Sequence, residues 1–174
     1  MSERFRIERL SGAHDRSQFS SGSSPLDRYF REQASQDSKR RIVSCFVAVS
    51  VETQELIGFY TLSAASVALS SLAPEIAKKL PRYPVVPAAL MGRLAIAQNH
   101  QGKGLGGVLL GDAVLRSARV ELGVFAMLVD AKDDAAQRFY EHHGFTPLPG
   151  ADRRLCLPIA MGLRQFEGRT EHPA

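Results

Sequence analysis

The sequence predicts a mixed α/β fold in a single domain. Strand and helix patterns alternate along the chain, and two early strands follow one another directly, whereas the later strands are separated by helices. A length of 174 residues suits one domain, and 44% hydrophobic residues are enough for a sizeable core. The expected order is β-α-β-β-α-β-α-β-α-β-β, antiparallel early and with a parallel crossover in the second half.

The first half is expected to hold a strand, a helix and a hairpin. "RFRIERL" alternates charged and apolar residues, which is typical of a strand. In the helix "LDRYFREQASQDSKR", Ser24 suits the N-cap, Pro25 the first position and Asp27 the reciprocal capping position. The segments "RIVSCFVAVS" and "LIGFYTLSAASVAL" are rich in β-branched and aromatic residues, so they predict a β-hairpin.

The second half is expected to alternate helices and strands. A short helix near residues 74–80 and a break at "RYPVVP" precede the strand "AALMGRLAIA". The helix "LGGVLLGDAVLRSARVEL", the strand "GVFAMLVDA" and the helix "KDDAAQRFYEHHG" follow, the last ended by Gly144 in the left-handed conformation. "FTPL" and "RRLCLPIAM" predict two last strands. The tail after Gly162 is polar and expected to fray, which predicts a domain over residues 1–162 and a tail over 163–174.

Composition excludes some classes of protein. No stretch approaches the roughly 18 apolar residues of a membrane span, and "MSERFRIERL" lacks an apolar signal region, which favours the cytoplasm. Cys45 and Cys156 lie in apolar runs outside any C-x-x-C motif. They are expected to be buried free thiols, although spacing alone leaves a disulfide open. The spacing of His14, His100 and His172 does not match a metal site.

The stretch "HQGKGLGGVLL" carries the most informative pattern in the chain. Gly102, Gly104 and Gly107 fit G-x-G-x-x-G, and Lys103 adds a positive charge. Glycines at a helix start let backbone N–H groups approach an anion, and the helix dipole favours a phosphate there. The alternative is a tight turn in which the glycines serve packing only.

Two nucleotide-binding interpretations fit poorly. A P-loop needs G-K-[ST], but Lys103 is followed by Gly104. A Rossmann site has a strand before the loop, a helix after it and an acid where Asp130 stands. Against it, the spacer "AQNH" separates strand and loop, and too little chain follows Asp130 to complete a doubly wound sheet.

The third interpretation is a coenzyme A site. "QGKGLG" fits Q-x-x-G-x-G through Gln101, Gly104 and Gly106, and resembles the pyrophosphate motif of the GNAT N-acetyltransferases. "AQRFYEHHGF" is similar to the A-x-x-x-Y-x-x-x-G-F ending of that family, and the resemblance spans Ile57 to Ala160. It implies a single-domain GNAT fold of α/β (α+β) class, with a mixed central sheet, splayed parallel strands and flanking helices.

The resemblance also implies the chemistry and its residues. Acetyl-coenzyme A is the co-substrate, no metal is needed, and Tyr140 is the general acid, since a phenol with a pKa near 10 stays protonated at neutral pH. The alternative is that Tyr140 only packs with Phe139 and Ala136. Glu141, His142 and His143 are expected on an exposed helix end, and no general base is evident. The implied cofactor-binding residues are Leu94, Ala95, Ile96, Gln101, Gly102, Lys103, Gly104, Leu105, Gly106 and Phe139.

Asp133 departs from the family pattern, because many members carry Asn at that position. The resemblance therefore gives its side chain no assured contact with coenzyme A.

The chain resembles one branch of the family, the GNAT toxins of type II toxin–antitoxin modules. "FSSGSSPLDRYFREQASQ" is similar to the opening helix of that branch, F-x-x-G-x-x-x-L-D-x-[YW]-[LF], and the likeness covers residues 19–160. It implies a bacterial enzyme that acetylates the α-amine of aminoacyl-tRNA and blocks translation. It also implies a ribbon-helix-helix antitoxin as partner, and members of this branch are often homodimers.

A net charge of +4 is compatible with an anionic partner such as tRNA. Alternatives are a solvated charge distribution, acetylation of a small amine or protein N-terminus, and a non-enzymatic protein that uses the coenzyme A fold to bind a repressor. Arg153 and Arg154 are also basic. The candidate tRNA contacts are Lys39, Arg40, Arg41, Lys78, Lys79, Arg82 and Arg93.

Overall fold

A computed structural model describes residues 3–167 and confirms the mixed α/β fold. The strands are β1 (Phe5–Arg9), β2 (Ser44–Ser50), β3 (Leu56–Ala68), β4 (Val85–Ile96), β5 (Ala126–Asp130), β6 (Thr146–Pro147) and β7 (Arg154–Pro158). They form one sheet in the order β1-β2-β3-β4-β5-β7-β6. The helices are α1 (Ser24–Glu32), α2 (Ala34–Lys39), α3 (Pro74–Ala77), α4 (Leu105–Arg119), α5 (Asp134–His142) and α6 (Ile159–Glu167). None of the helices within residues 3–167 has the length and apolar content needed to cross a bilayer.

The chain divides into two compact units. The first combines the residues up to Ser63 with Gly92–Ala113, and the second combines Ala64–Met91 with the residues from Val114 onward. Each unit has its own apolar core.

The first unit contains the predicted hairpin. β2 pairs antiparallel with β1 and with β3. In the pairing of β2 with β3, Cys45 lies opposite Thr61. Aromatic rings fill the core: Phe30 stacks on Phe59 with centroids 4.1 Å apart, and Phe19 meets Phe30 edge-on at 4.9 Å. This packing holds α1 against the face of the hairpin.

The single helix expected over residues 26–40 is wrong, because two helices occupy the segment. Gln33 leaves the helical conformation, with φ −125° and ψ −29°, and separates α1 from α2. The N-cap is Ser23 and not Ser24. Asp27 does not serve the predicted capping box. Its buried carboxylate instead accepts from the N–H of Ser21 at 2.9 Å and from the hydroxyl of Ser21 at 2.6 Å.

The residues of the predicted parallel pairing belong to the second unit. β4 pairs parallel with β5, Ala88–Met91 against Ala126–Val129, and α4 connects the two strands. β5 pairs antiparallel with β7, and β6 completes a short hairpin with β7. β4 begins at Val85, inside the expected break, and the carbonyl of Pro87 accepts from the N–H of Phe125 at 2.9 Å.

The C-terminal expectation is wrong for residues 159–167. The last strand ends at Pro158, and α6 replaces the predicted strand end and frayed tail. Gly162 lies so close to Val114 that an added Cβ would come within 2.9 Å of that side chain, and Phe166 is buried. The helix therefore packs on its own unit. Residues 168–174 of the predicted tail lie outside the described residues.

Both cysteines are buried free thiols, as predicted. Burial raises the pKa of Cys45 to about 12 and that of Cys156 to about 11.

Candidate active site

The glycine loop lies in the first unit, between β4 and α4. Gly102 and Gly104 both have φ near +78°, a conformation that side chains with a Cβ adopt at a cost. A Cβ added at either residue would meet no atom within 4 Å. Backbone conformation, and not packing, is therefore what requires glycine at these two positions.

Amide donors collect at the start of α4. Its first hydrogen bond runs from the N–H of Val108 to the carbonyl of Gly104, at 3.3 Å. The N–H groups of Leu105, Gly106 and Gly107 lie before that bond, where a helix has no acceptors of its own. Together with the exposed Lys103, they give this end of the helix a positive potential suited to a phosphate.

Gln101 ties the loop to its surroundings. Its side-chain amide donates to the carbonyl of Ser21 at 2.7 Å and to that of Ile96 at 2.9 Å. Its own N–H donates to the carbonyl of Gln98 at 3.3 Å. The amide donors left for a ligand therefore begin at Gly102, and Gln101 holds the loop in place.

The predicted pantetheine-binding residues, Leu94 to Ile96, form the end of β4. The pairing of β4 with β5 ends at Met91, three residues before Leu94. On the β3 side the strand lies very close, since a Cβ at Gly58 would come within 2.8 Å of the Ala95 carbonyl. The absence of a side chain at Gly58 allows this approach.

Tyr140 lies in the second unit, on α5, with 7% of its surface exposed. Its ring packs against Phe139 at 5.2 Å and Phe145 at 5.6 Å. Burial raises the pKa of the phenol, and the charge of Asp130 raises it further. Packing therefore accounts for the position of the ring, and no residue within 3–167 accepts the proton of its hydroxyl.

Asp133 has a structural role that the sequence interpretation missed. It is the N-cap of α5, and its carboxylate accepts from the N–H of Ala136 at 2.8 Å. An Asp just before a helix is a recognised start signal, so the sequence did contain this information.

The expectation that His143 belongs to an exposed helix end is wrong. The residue is buried, its Nδ1 donates to the carbonyl of Phe139 at 2.9 Å, and its ring stacks on Phe166 at 6.0 Å. This histidine therefore joins α5 to α6.

The candidate tRNA contacts are divided between the two units. Lys39, Arg40 and Arg41 are exposed at the end of α2 in the first unit, and Arg93 belongs to the same unit. The exposed Lys78, Lys79 and Arg82 follow α3 in the second unit.

Two other basic residues are engaged within the protein. Arg154 makes a bidentate ion pair with Asp130, at 2.7 and 2.9 Å, and Arg153 pairs with Asp134 at 2.7 Å. Neither is a free cation.

No metal centre is formed within residues 3–167, where no three His, Cys, Asp or Glu side chains come together in a suitable cluster.

The chain is similar to known acetyltransferases over most of its length. Residues 42–147 match the acetyltransferase (GNAT) domain. The chain is 36% identical over 151 residues to a tRNA-acetylating toxin from Mycobacterium tuberculosis, covering 86% of this chain and 89% of the relative. It is 30% identical over 156 residues to the probable toxin TacT from Sinorhizobium fredii, covering 84% and 86% of the two chains.

Solved structures share the fold over most of the chain. A tyrosine-to-phenylalanine mutant of KacT superposes with TM-score 0.84 at 27% identity, covering 93% of this chain and 99% of the other. AtaT complexed with acetyl-methionyl-tRNAfMet gives 0.83 at 26% identity, covering 96% and 99%. AtaTR bound with acetyl-coenzyme A gives 0.80 at 26% identity, covering 95% and 99%. The chain therefore belongs to the GNAT acetyltransferase family, and its relatives include tRNA-acetylating toxins.

Proposed function

We propose that this acetyltransferase moves the acetyl group of acetyl-coenzyme A to the α-amine of the amino acid on an aminoacyl-tRNA, and so blocks translation as a toxin. The likeness to the tRNA-acetylating toxin, over 86% of the chain, is the observation that carries the choice of substrate. A charged tRNA with a blocked α-amine cannot accept a peptide, so a small amount of such an enzyme would arrest growth.

The glycine loop is proposed to hold the pyrophosphate of the co-substrate. The backbone N–H groups from Gly102 to Gly106 are the donors, and Lys103 supplies a charge. The backbone at Leu94, Ala95 and Ile96 is proposed to bind the pantetheine arm as an added strand. Phe139 is proposed as a further contact.

Acetyl-coenzyme A supplies an acetyl group as a thioester, which a neutral amine attacks to form an amide with loss of the thiol. A backbone N–H of β4 is proposed to stabilise the developing oxyanion. Tyr140 is proposed to give its proton to the leaving sulfur. Its raised pKa keeps the phenol protonated at neutral pH, and its hydroxyl has no competing partner within residues 3–167.

The tRNA is proposed to bind through phosphate contacts that read no sequence. The basic residues proposed for these contacts are Lys39, Arg40, Arg41, Lys78, Lys79, Arg82 and Arg93. All but Arg93 are exposed, as a contact with a large polyanion requires.

A homodimer and a ribbon-helix-helix antitoxin as partner complete the proposal, and both rest on the resemblance to the toxin branch. The proposed location is the cytoplasm.

The test is acetyl transfer from radiolabelled acetyl-coenzyme A with three acceptors offered separately: bulk aminoacyl-tRNA, a panel of small amines, and peptides with free N-termini. We expect label in the aminoacyl-tRNA fraction, released as an N-acetyl amino acid after mild alkaline hydrolysis of the ester. A Tyr140→Phe variant with unchanged thermal melting serves as the matched control. Label in the amines or peptides, with none on tRNA, would replace the proposed substrate by a small one.

A further inference from the structure

Arg93 occupies an unusual position in the first unit. Its side chain is half-buried, and the central carbon of its guanidinium lies 3.5 Å from the centroid of the Tyr29 ring. Cation–π contacts extend to about 6 Å. This contact is much shorter and corresponds to van der Waals distance. The central carbon lies over the ring, and a guanidinium that stacks on an aromatic face directs its N–H groups outward, past the edge of the ring.

The donors of this guanidinium distinguish Arg93 from two other arginines of the first unit. Among residues 3–167, no acceptor forms a hydrogen bond or an ion pair with Arg93. Two other arginines of the same unit behave differently: Arg16 donates to the carbonyl of Phe30 at 2.6 Å, and Arg31 donates to that of Phe19 at 2.7 Å. A half-buried cation without an acceptor is costly, which indicates that its acceptor comes from a ligand.

The ring under Arg93 is itself held in place. Tyr29 is 6% exposed, and its hydroxyl donates to the carboxylate of Asp37 at 3.0 Å. The N–H of Ile42 donates to the backbone carbonyl of Asp37 at 2.9 Å, so the turn before β2 secures the acceptor. Burial and this hydrogen bond raise the pKa of Tyr29 to about 12, so the phenol remains a donor at physiological pH.

The break at Gln33 makes the contact between Tyr29 and Asp37 possible. In a continuous helix, two residues eight positions apart are separated by about 12 Å along the axis. With α2 turned away from α1, the two side chains meet.

We infer that Tyr29, held by Asp37, is a positioning residue that orients Arg93 toward a phosphate of the tRNA. The inference rests on the proposed function. Tyr29 touches no substrate. Its ring face fixes the plane of the guanidinium, so that the outward edge of Arg93 offers a bidentate contact to one phosphate.

The test is a double-mutant cycle on the intact protein, read as KM and kcat for aminoacyl-tRNA. Arg93→Gln should raise KM by about tenfold with little change in kcat, and lower the salt slope of tRNA binding by about one. Tyr29→Leu keeps the charge of Arg93 but removes the aromatic face beneath it. KM should therefore rise by about fivefold, while most of the salt slope of tRNA binding is retained. Combining the two changes should cost no more than Arg93→Gln alone.

Two further variants separate positioning from general destabilisation. Phe19→Leu removes a core ring of the same unit, and its effect should add to that of Arg93→Gln. Arg119→Gln removes an exposed charge of α4 and should leave KM unchanged. The side-chain Nε–H resonance of Arg93 gives a readout that needs no substrate: the ring should shift it upfield, and Tyr29→Leu should abolish the shift.

The outcomes are distinct. If the wild-type protein acetylates aminoacyl-tRNA but the effects of Tyr29→Leu and Arg93→Gln add, the positioning role is overturned and the proposed function stands. If the wild-type protein does not acetylate aminoacyl-tRNA, the proposed function fails and the inference fails with it. Coupled effects, with the ring shift present in the wild type, support the inference.

Discussion

The side-chain amide of Gln101 donates to the carbonyl of Ser21 across 2.7 Å, although 80 positions separate the two residues in the chain. The same amide binds the carbonyl of Ile96, so one side chain joins the glycine loop, the strand before it and the segment that leads into α1. These two hydrogen bonds therefore support the shape of the glycine loop from within the protein.

Gln101→Ala should weaken this support. Loss of two hydrogen bonds of about 1 kcal/mol each should lower stability by roughly 1–2 kcal/mol. The looser loop should raise the Kd for acetyl-coenzyme A by about tenfold, as measured by titration calorimetry. Gln36→Ala, an exposed change on α2, is the control and should alter neither quantity. Unchanged affinity in Gln101→Ala would show that the loop keeps its shape without the amide.

Gly104→Ala should be strained, because its φ of +78° disfavours any residue with a Cβ. We expect a loss of about 1–2 kcal/mol and weaker acetyl-coenzyme A binding. Gly123→Ala is the matched control, since its added Cβ also meets no atom within 4 Å and no positive φ is required there. Equal behaviour of the two variants in denaturation and binding would contradict the conformational role of Gly104.

Asp133→Ala removes the cap of α5 and should cost about 1 kcal/mol of stability. Asp133→Asn keeps an oxygen acceptor, so it should unfold within a few tenths of a kcal/mol of the wild type. Urea denaturation of the three proteins measures the difference. A similar loss in the Asn variant would mean that the carboxylate charge, and not the hydrogen bond to Ala136, is what matters.

Tyr140→Phe should lower kcat by about 10²–10⁴-fold, the usual contribution of a general acid, with little change in acetyl-coenzyme A affinity. Stability should stay the same, because the lost hydroxyl has no partner within residues 3–167. Single-turnover acetylation and thermal melting give the two readouts. Wild-type rates would remove Tyr140 from the proposed chemistry.

Alkaline pH should destabilise the fold through buried thiols and phenols. The pKa of Cys45 rises from 9.0 to about 12, and that of Tyr29 rises from 10.0 to about 12. The unfolded chain therefore loses these protons at lower pH than the folded chain. The contribution of these two groups to the free energy of unfolding is fully present below about pH 9. It is lost as the pH rises from 9 to 12.

Denaturation at pH values from 8 to 12 gives the slope of the free energy of unfolding against pH. Cys45→Ala should release one proton fewer on unfolding in that range than the wild type does. A slope that the variant leaves unchanged would rule out the Cys45 contribution.

The glycine loop and the hairpin could be predicted because their signals are local. Positive φ at Gly102 and Gly104 follows from chemistry within a few residues, and β-branched runs identify β2 and β3 without their partners. The signal for the cap at Asp133 is equally local, since an Asp directly before a helix is a start signal.

The break at Gln33 and the helix α6 could not be predicted in the same way. Glutamine is a good helix former, so nothing local indicates an interruption there. The residues 163–167 mix polar and apolar side chains without a clear pattern. Gly162 packs against α4 and β7, and Phe166 stacks on His143, the residue that follows α5; only the folded chain supplies these partners. Tertiary contacts decide both cases.

The route of the chain has a consequence for dissecting this protein. Strands β3 and β4 and helix α4 each run from one compact unit into the other, so neither unit is a continuous stretch of sequence. A split at any peptide bond between residues 64 and 113 would leave both units incomplete, and a split elsewhere would still divide one of them. Fragment expression therefore has no natural cut point here, and a proteolytic nick within β3, β4 or α4 should inactivate the whole molecule at once.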